Sequence, residues 1–241
     1  MKIIFSTLVG STLYGLTNAA SDKDVKKIAL PSAVELLGLP ELLGIPDRAR
    51  NHWEGSGDDP KDTMIYSLAK FLLLAAKGNP TIVEMFGIIP TECVLVETDE
   101  WKRLRHFARE NLVTKKIIPS FFGYLHDQFT RVKERKAQNN RTEMIEKFGY
   151  DVKCSSHCYR LAVQGIQWME TGLASIRMSG SDRETALNMK NGKYTYEDTI
   201  ELISGIIEEM RWAEKRCTLR EEPDMELVNQ YCIDAHRSCI E

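Results

Sequence analysis

The sequence predicts an α+β fold: a small mixed β-sheet with helices in the N-terminal half, then a mainly helical C-terminal half. Two observations carry this. Short apolar runs bounded by Gly, Pro or polar residues are confined to the first hundred residues, at 2–9, 22–30, 62–66 and 93–96, and such runs read as strands. From Asp99 almost to the end, apolar residues recur instead at helical spacing. The division falls near residue 110 and separates regions 1–110 and 111–241.

Taken in order, residues 2–9 form an apolar strand that Gly10-Ser11 ends, and Thr12–Leu16 fits the first turns of a short helix. Asp22–Leu30 reads as the second strand, stopped by Pro31. Residues 32–61, rich in Gly, Pro and charge, read as loop. Asp62–Tyr66 is a third short strand. Ser67 then caps a helix Leu68–Lys77 that Gly78 ends. Asn79 caps the next helix, with Pro80 in the first turn, where a missing N–H costs nothing. Cys93–Val96 is a fourth strand. Trp101–Leu112, Phe121–Lys136 and Val152–Thr171 are amphipathic helices, with the polar stretch Ala137–Arg141 between the second and third. Thr195 with Asp198 opens a further helix, in capping-box style, to about Cys217.

The chain of 241 residues is 43% hydrophobic and 28% charged, which marks a folded soluble protein and excludes a disordered one. No stretch approaches the 18 apolar residues of a membrane span. The net charge of −3 is uninformative, but its distribution is not: residues 101–160 hold 14 Lys/Arg against 6 Asp/Glu, and residues 181–241 hold 8 against 14. A basic middle either attracts phosphates or is a set of solvated helix faces. The six cysteines contain no Cys-x-x-Cys pair and read as reduced thiols of a cytoplasmic protein. Cys154 and Cys158 flank His157, but no second Cys/His pair follows at zinc spacing. The N-terminal apolar run resembles a weak secretory signal. Ser6 and Thr7 interrupt it, and Asn18 suits the −3 cleavage position poorly, so it reads as a strand.

Asp22 and Asp24 stand two apart, so on a strand both side chains leave the same face about 7 Å apart. Two such carboxylates suit a pair of Mg²⁺ ions, which clamp the attacking and departing oxygens in phosphoryl transfer. Gly10 lets a backbone approach phosphate closely, and the Ser11 hydroxyl can donate to it. Asp62 offers a third carboxylate on a neighbouring strand, beside the metal nearest the attacking hydroxyl. In the helical half, Lys153, His157, Arg160 and Gln164 share one helix face. They form either a phosphate-binding stripe or a solvated basic face. Asn79 is explained by capping, Lys70 by solvent, and the four tryptophans by packing.

The stretch Gly10–Leu16 followed by Ser21-Asp22-Lys23-Asp24 resembles the DNA polymerase beta nucleotidyltransferase superfamily. More narrowly, it is similar to the nucleotidyltransferases associated with RNA ligases. Further blocks carry the narrower resemblance: Asp62–Phe71, Lys77–Thr81 with Glu84, Phe122-Gly123-Tyr124 with Gln128, and Phe148–Asp151 with Lys153, His157, Arg160 and Leu161. One departure is Lys26-Lys27, where the family has a glycine shortly after the second aspartate.

The resemblance implies an Mg²⁺-dependent enzyme using two ions, with Mn²⁺ as a substitute. It would move NMP from an NTP to an acceptor hydroxyl, with an RNA or tRNA 3′ end as acceptor. It implies Asp22, Asp24 and Asp62 as catalytic metal ligands, and Gly10, Ser11, Lys153, His157 and Arg160 around the nucleotide. Transfer to a protein or small molecule is the alternative within this chemistry. A non-catalytic nucleotide or RNA binder is the alternative outside it.

Overall fold

The apolar run in the first segment builds the strand Lys2–Leu8, which buries Ile4, Phe5, Ser6 and Thr7 in succession and so is covered on both faces. The structure is a computed structural model that describes residues 1–17, 24–39, 51–55, 62–136 and 142–237. The strands are β1 (Lys2–Leu8), β2 (Val25–Leu30), β3 (His52–Glu54), β4 (Thr63–Ser67) and β5 (Val94–Glu97). Among the described residues they form one sheet in the order β3-β4-β2-β1-β5. β1 pairs antiparallel with β2 and β5, β3 antiparallel with β4, and β2 parallel with β4. The sheet is therefore mixed, as predicted.

The helices of this half are α1 (Gly10–Tyr14), α2 (Ala33–Leu37), α3 (Leu68–Ala76) and α4 (Pro80–Val83). Ser67 and Asn79 cap α3 and α4 by accepting from the Lys70 and Thr81 N–H groups. The helical half contains α5 (Asp99–Asn111), α6 (Ile117–Lys133), α7 (Thr142–Phe148), α8 (Val152–Thr171), α9 (Gly180–Lys190), α10 (Tyr196–Arg216) and α11 (Met225–Arg237). Helix α8 is the axis of this half. Most of its length is buried against α6, α9 and α10, and Asp151 caps it by accepting from the Cys154 N–H. One core runs from Ile4 in β1 to Val228 in α11 and spans both sides of residue 110. At its centre Phe5 stacks on Trp101 at 4.0 Å.

Differences from the sequence expectation have physical causes. The 32–61 loop contains α2, fixed by a capping box between Ser32 and Glu35, and the three-residue β3, too short to show a period. Helix α6 starts four residues before Phe121 because Pro119 lies in its first turn, where proline is tolerated. Trp101 and Trp168 are buried, but Trp212 is exposed, with Lys215 over its ring, so it is not a core residue. Ala137–Arg141 and Asp22 lie outside the described residues. Among the described residues, no helix is long and apolar enough to cross a membrane.

Candidate active site

The turn from β1 into α1 is shaped by one glycine. Gly10 has φ +65°, a left-handed conformation that side chains disfavour. A Cβ at this position would lie 2.7 Å from Oδ2 of Asp24. The Asp24 carboxylate thus packs directly on the Gly10 backbone. The Val9 N–H donates to the Asp24 carbonyl at 2.9 Å and ties the two segments together. Ser11 follows in the first turn of α1, where no side chain caps the helix. Lys26 of β2, two residues along from Asp24, lines the same cleft.

These groups open onto a cleft of about 420 Å³ between the sheet and the helical half. Gly10, Ser11, Asp24 and Lys26 line one side; Lys153, His157 and Arg160 of α8 and Lys190 of α9 line the other. The helical stripe predicted from spacing therefore faces the acidic turn. Tyr124 of α6 stands edge-on to His157 at 5.2 Å. Lys190 donates to the Leu16 carbonyl at 2.5 Å. Its pKa is lowered by partial burial first and by neighbouring Lys153 second.

Asp62 is placed differently. It directly precedes β4, has φ +67°, is exposed, and does not line the cleft. Its backbone nevertheless stands beside Asp24. The parallel register sets Val25 against Thr63, and the Val25 N–H reaches the Asp62 carbonyl at 3.4 Å. Among the described residues, no three His, Cys, Asp or Glu side chains gather as a metal site. Cys154 and Cys158 are buried behind the cleft, with the Cys154 thiol donating to Gln128. They do not join His157 on the cleft wall.

On the floor of the cleft, Arg160 meets groups to which the sequence reading gave no role in the site: Glu84, Tyr14 and Lys26. Glu84 is buried, with only 4% of its side chain exposed. Its Oε2 accepts from the Tyr14 hydroxyl at 2.8 Å and lies 3.9 Å from Arg160, and its Oε1 accepts from the Lys26 ammonium at 3.1 Å. Lys26 also donates to the Thr81 carbonyl at 2.6 Å. The Arg160 guanidinium lies 3.7 Å over the Tyr14 ring, donates to Gln164 and approaches His157 at 3.4 Å. Gln164 is itself anchored on the Ile176 carbonyl. A buried charge persists only when paired and hydrogen-bonded, and this network satisfies that condition. Burial raises the Tyr14 phenol far above its usual range; Arg160 opposes that shift and Glu84 adds to it. One signal for Glu84 was available: it is a lone charge inside the apolar run Ile82-Val83-Glu84-Met85-Phe86.

The basic middle of the chain is partly neutralised internally. Lys115 and Lys116 pair with Glu221 and Glu222 of the acidic tail, and Arg105 with Glu97. The unequal charge distribution is thus in part an intramolecular match, and the cations of the cleft are a separate group.

The mixed sheet, the Gly-Ser turn against Asp24 and the cationic helix across the cleft are the setting in which the comparison with known families is read. The chain belongs to RlaP, the RNA repair pathway DNA polymerase beta family, whose model matches residues 1–234. It is also 29% identical over 132 residues to an uncharacterized 38.9 kDa protein of the nrdC-mobD intergenic region of Enterobacteria phage T4. That match covers 54% of this chain and 39% of the phage protein, so the chain spans well under two thirds of that relative. Nucleotidyl transfer is the general activity of the family, and polymerase beta-like enzymes generally use divalent metals. The residues present suit such an ion in kind: Asp24, which lines the cleft, supplies hard oxygen donors.

Proposed function

We propose that this protein transfers a nucleoside monophosphate from an NTP to the terminal hydroxyl of an RNA, including a tRNA 3′ end, with release of pyrophosphate. The observation that carries this is the Asp24 carboxylate seated on left-handed Gly10, facing a wall of Lys153, His157, Arg160 and Lys190. A carboxylate alone repels phosphate. Carboxylate and cations on opposite walls of one cleft suit a metal-bound triphosphate, whose charge both must handle.

In this reading the acceptor oxygen attacks the α-phosphorus. The bond from that phosphorus to the β-bridging oxygen breaks, and pyrophosphate leaves. Asp22 and Asp24 would hold two Mg²⁺ ions, with Mn²⁺ able to substitute, and such ions would supply neutralisation of the phosphate charge. Asp62, directly before β4 with its backbone beside Asp24, would serve as the third carboxylate by turning its exposed side chain into the cleft, where it would take the proton of the attacking hydroxyl. Ser11 and the Gly10 backbone hold the triphosphate. Lys153, His157 and Arg160 close on it from α8, with Arg160 held by Glu84, Tyr14 and Gln164 and placed beside His157.

Incubation with α-labelled NTPs, Mg²⁺ and a panel of RNAs tests this reading. Label is expected on an RNA 3′ end, with the mass gain of a nucleotide. A gain on protein or a small molecule alone would move the acceptor to that class. Absence of any labelled acceptor across the panel would remove the catalytic claim.

A further inference from the structure

An NTP asks opposite things of a cleft at its two ends: cations for the phosphates, and a flat apolar surface for the base. The cations of α8 and α9 answer the first demand. Much of the apolar and aromatic lining is already engaged. Val9 and Leu16 are buried in the core beside the Gly10 turn. The Tyr14 ring is covered by the Arg160 guanidinium at 3.7 Å, and its hydroxyl donates to Glu84. Tyr124 of α6 and Met144 of α7 are different. Both line the cleft, and both pack on the core with part of the side chain left accessible. Tyr124 stands edge-on to His157 at 5.2 Å, which sets its ring at the side of the cationic stripe. Ser156, a small hydroxyl on the same wall, donates to the Ala186 carbonyl at 2.8 Å, so its proton is engaged before any base arrives.

We infer that Tyr124 and Met144 form the seat of the nucleotide base, and that this seat selects purines by stacking area. The inference rests on the proposed NTP reading of the cleft, and adds where the base goes and which bases are favoured. A tyrosine ring stacks on the face of any base, and on two fused rings over a larger area than on one. A methionine thioether is polarizable and adapts its shape to a ring laid on it. A base on Tyr124 puts the phosphates beside His157, in the stripe that Lys153 and Arg160 continue along α8.

The test is isothermal titration calorimetry of the whole protein with Mg²⁺ present, against ATP, GTP, CTP, UTP and inorganic tripolyphosphate, which carries the charge without a base. The wild type is expected to bind ATP and GTP more tightly than CTP and UTP, and tripolyphosphate most weakly. Tyr124→Leu keeps apolar bulk but loses the flat ring. It is expected to weaken ATP binding by about 10–100-fold, the scale of one stacked base, and to move tripolyphosphate binding by less than about twofold. Tyr124→Phe keeps the ring and is expected to retain the advantage of ATP over tripolyphosphate. Met144→Ala is expected to weaken ATP alone, by a smaller factor than Tyr124→Leu. The inference is overturned if ATP binds no more tightly than tripolyphosphate, or if purines and pyrimidines bind alike. It is also overturned if Tyr124→Leu weakens ATP and tripolyphosphate equally, as a loss of cleft shape would, or if Tyr124→Phe loses as much as Tyr124→Leu. If the wild type binds neither ATP nor tripolyphosphate, the NTP reading itself fails, and this inference with it. Should Tyr124→Leu not fold, Met144→Ala decides: an unchanged ratio of ATP to tripolyphosphate affinity overturns the inference.

Discussion

Replacing Gly10 by alanine separates backbone strain from active-site collision. Gly10 and Gly149 both have left-handed backbones, with φ +65° and +80°. An alanine at either site costs roughly 1–2 kcal/mol from that conformation alone. Their surroundings differ. A Cβ at Gly149 meets nothing within 4 Å, whereas one at Gly10 lies 2.7 Å from Asp24 Oδ2. Real Cβ atoms do not approach so closely, so the carboxylate must move. Its own backbone is held by the Val9–Asp24 hydrogen bond, which leaves side-chain rotation as the escape. Gly149→Ala should therefore lose about 1–2 kcal/mol in urea unfolding and keep its nucleotidyl transfer. Gly10→Ala should lose at least as much stability and, in addition, about tenfold or more in transfer rate, since a misplaced reacting group costs on that order or above. Equilibrium urea unfolding and initial-rate assays on the two purified variants provide the comparison. Gly10→Ala with unchanged turnover would refute the argument that this glycine exists to admit the Asp24 carboxylate.

Two further predictions follow from the cleft floor. Arg160→Met leaves Glu84 with Lys26 and Tyr14 but removes the donor to Gln164 and a nearby cation, and should destabilise by about 1–3 kcal/mol in urea unfolding; unchanged stability would show that the floor network does not depend on it. For pH, burial raises the Tyr14 phenol, so the folded state favours the neutral form while the unfolded phenol ionises near pH 10. Its stabilising contribution is present below about pH 10 and is lost as pH climbs from there toward the folded value. Stability measured between about pH 9 and 12 should fall, and the fall should be shallower in Tyr14→Phe; equal slopes would contradict the assignment.

The parts of this protein legible in its sequence are those with local causes. The strands β1, β2, β4 and β5 and the capped starts of α3, α4 and α10 follow from apolar runs, from Pro80, and from Ser67, Asn79 and Thr195. Lys153, His157 and Arg160 sit on one helix face by spacing alone, and that face does line the cleft. Long-range pairings were not legible. Nothing in the neighbourhood of Lys26 shows that its partner is Glu84, 58 residues away, because that contact exists only after α4 is laid against the sheet. The same holds for Tyr14 under Arg160 and for Lys190 on the Leu16 carbonyl. Asp62 illustrates the intermediate case: the sequence places it at the start of a strand, and the parallel register then sets it beside Asp24, but its exposure depends on a left-handed backbone that spacing does not reveal.

The central claim is that Asp24, seated on Gly10, is the carboxylate on which transfer depends. The most direct measurement is pyrophosphate release from NTP in the presence of Mg²⁺ and acceptor RNA, for wild type and Asp24→Asn, at matched concentration and verified folding. Asparagine keeps the size and the packing on Gly10 but removes the charge. The account predicts release by the wild type and a loss of at least about a hundredfold in Asp24→Asn, on the scale by which a single preorganised charge contributes to turnover. Equal release by the two proteins would contradict it.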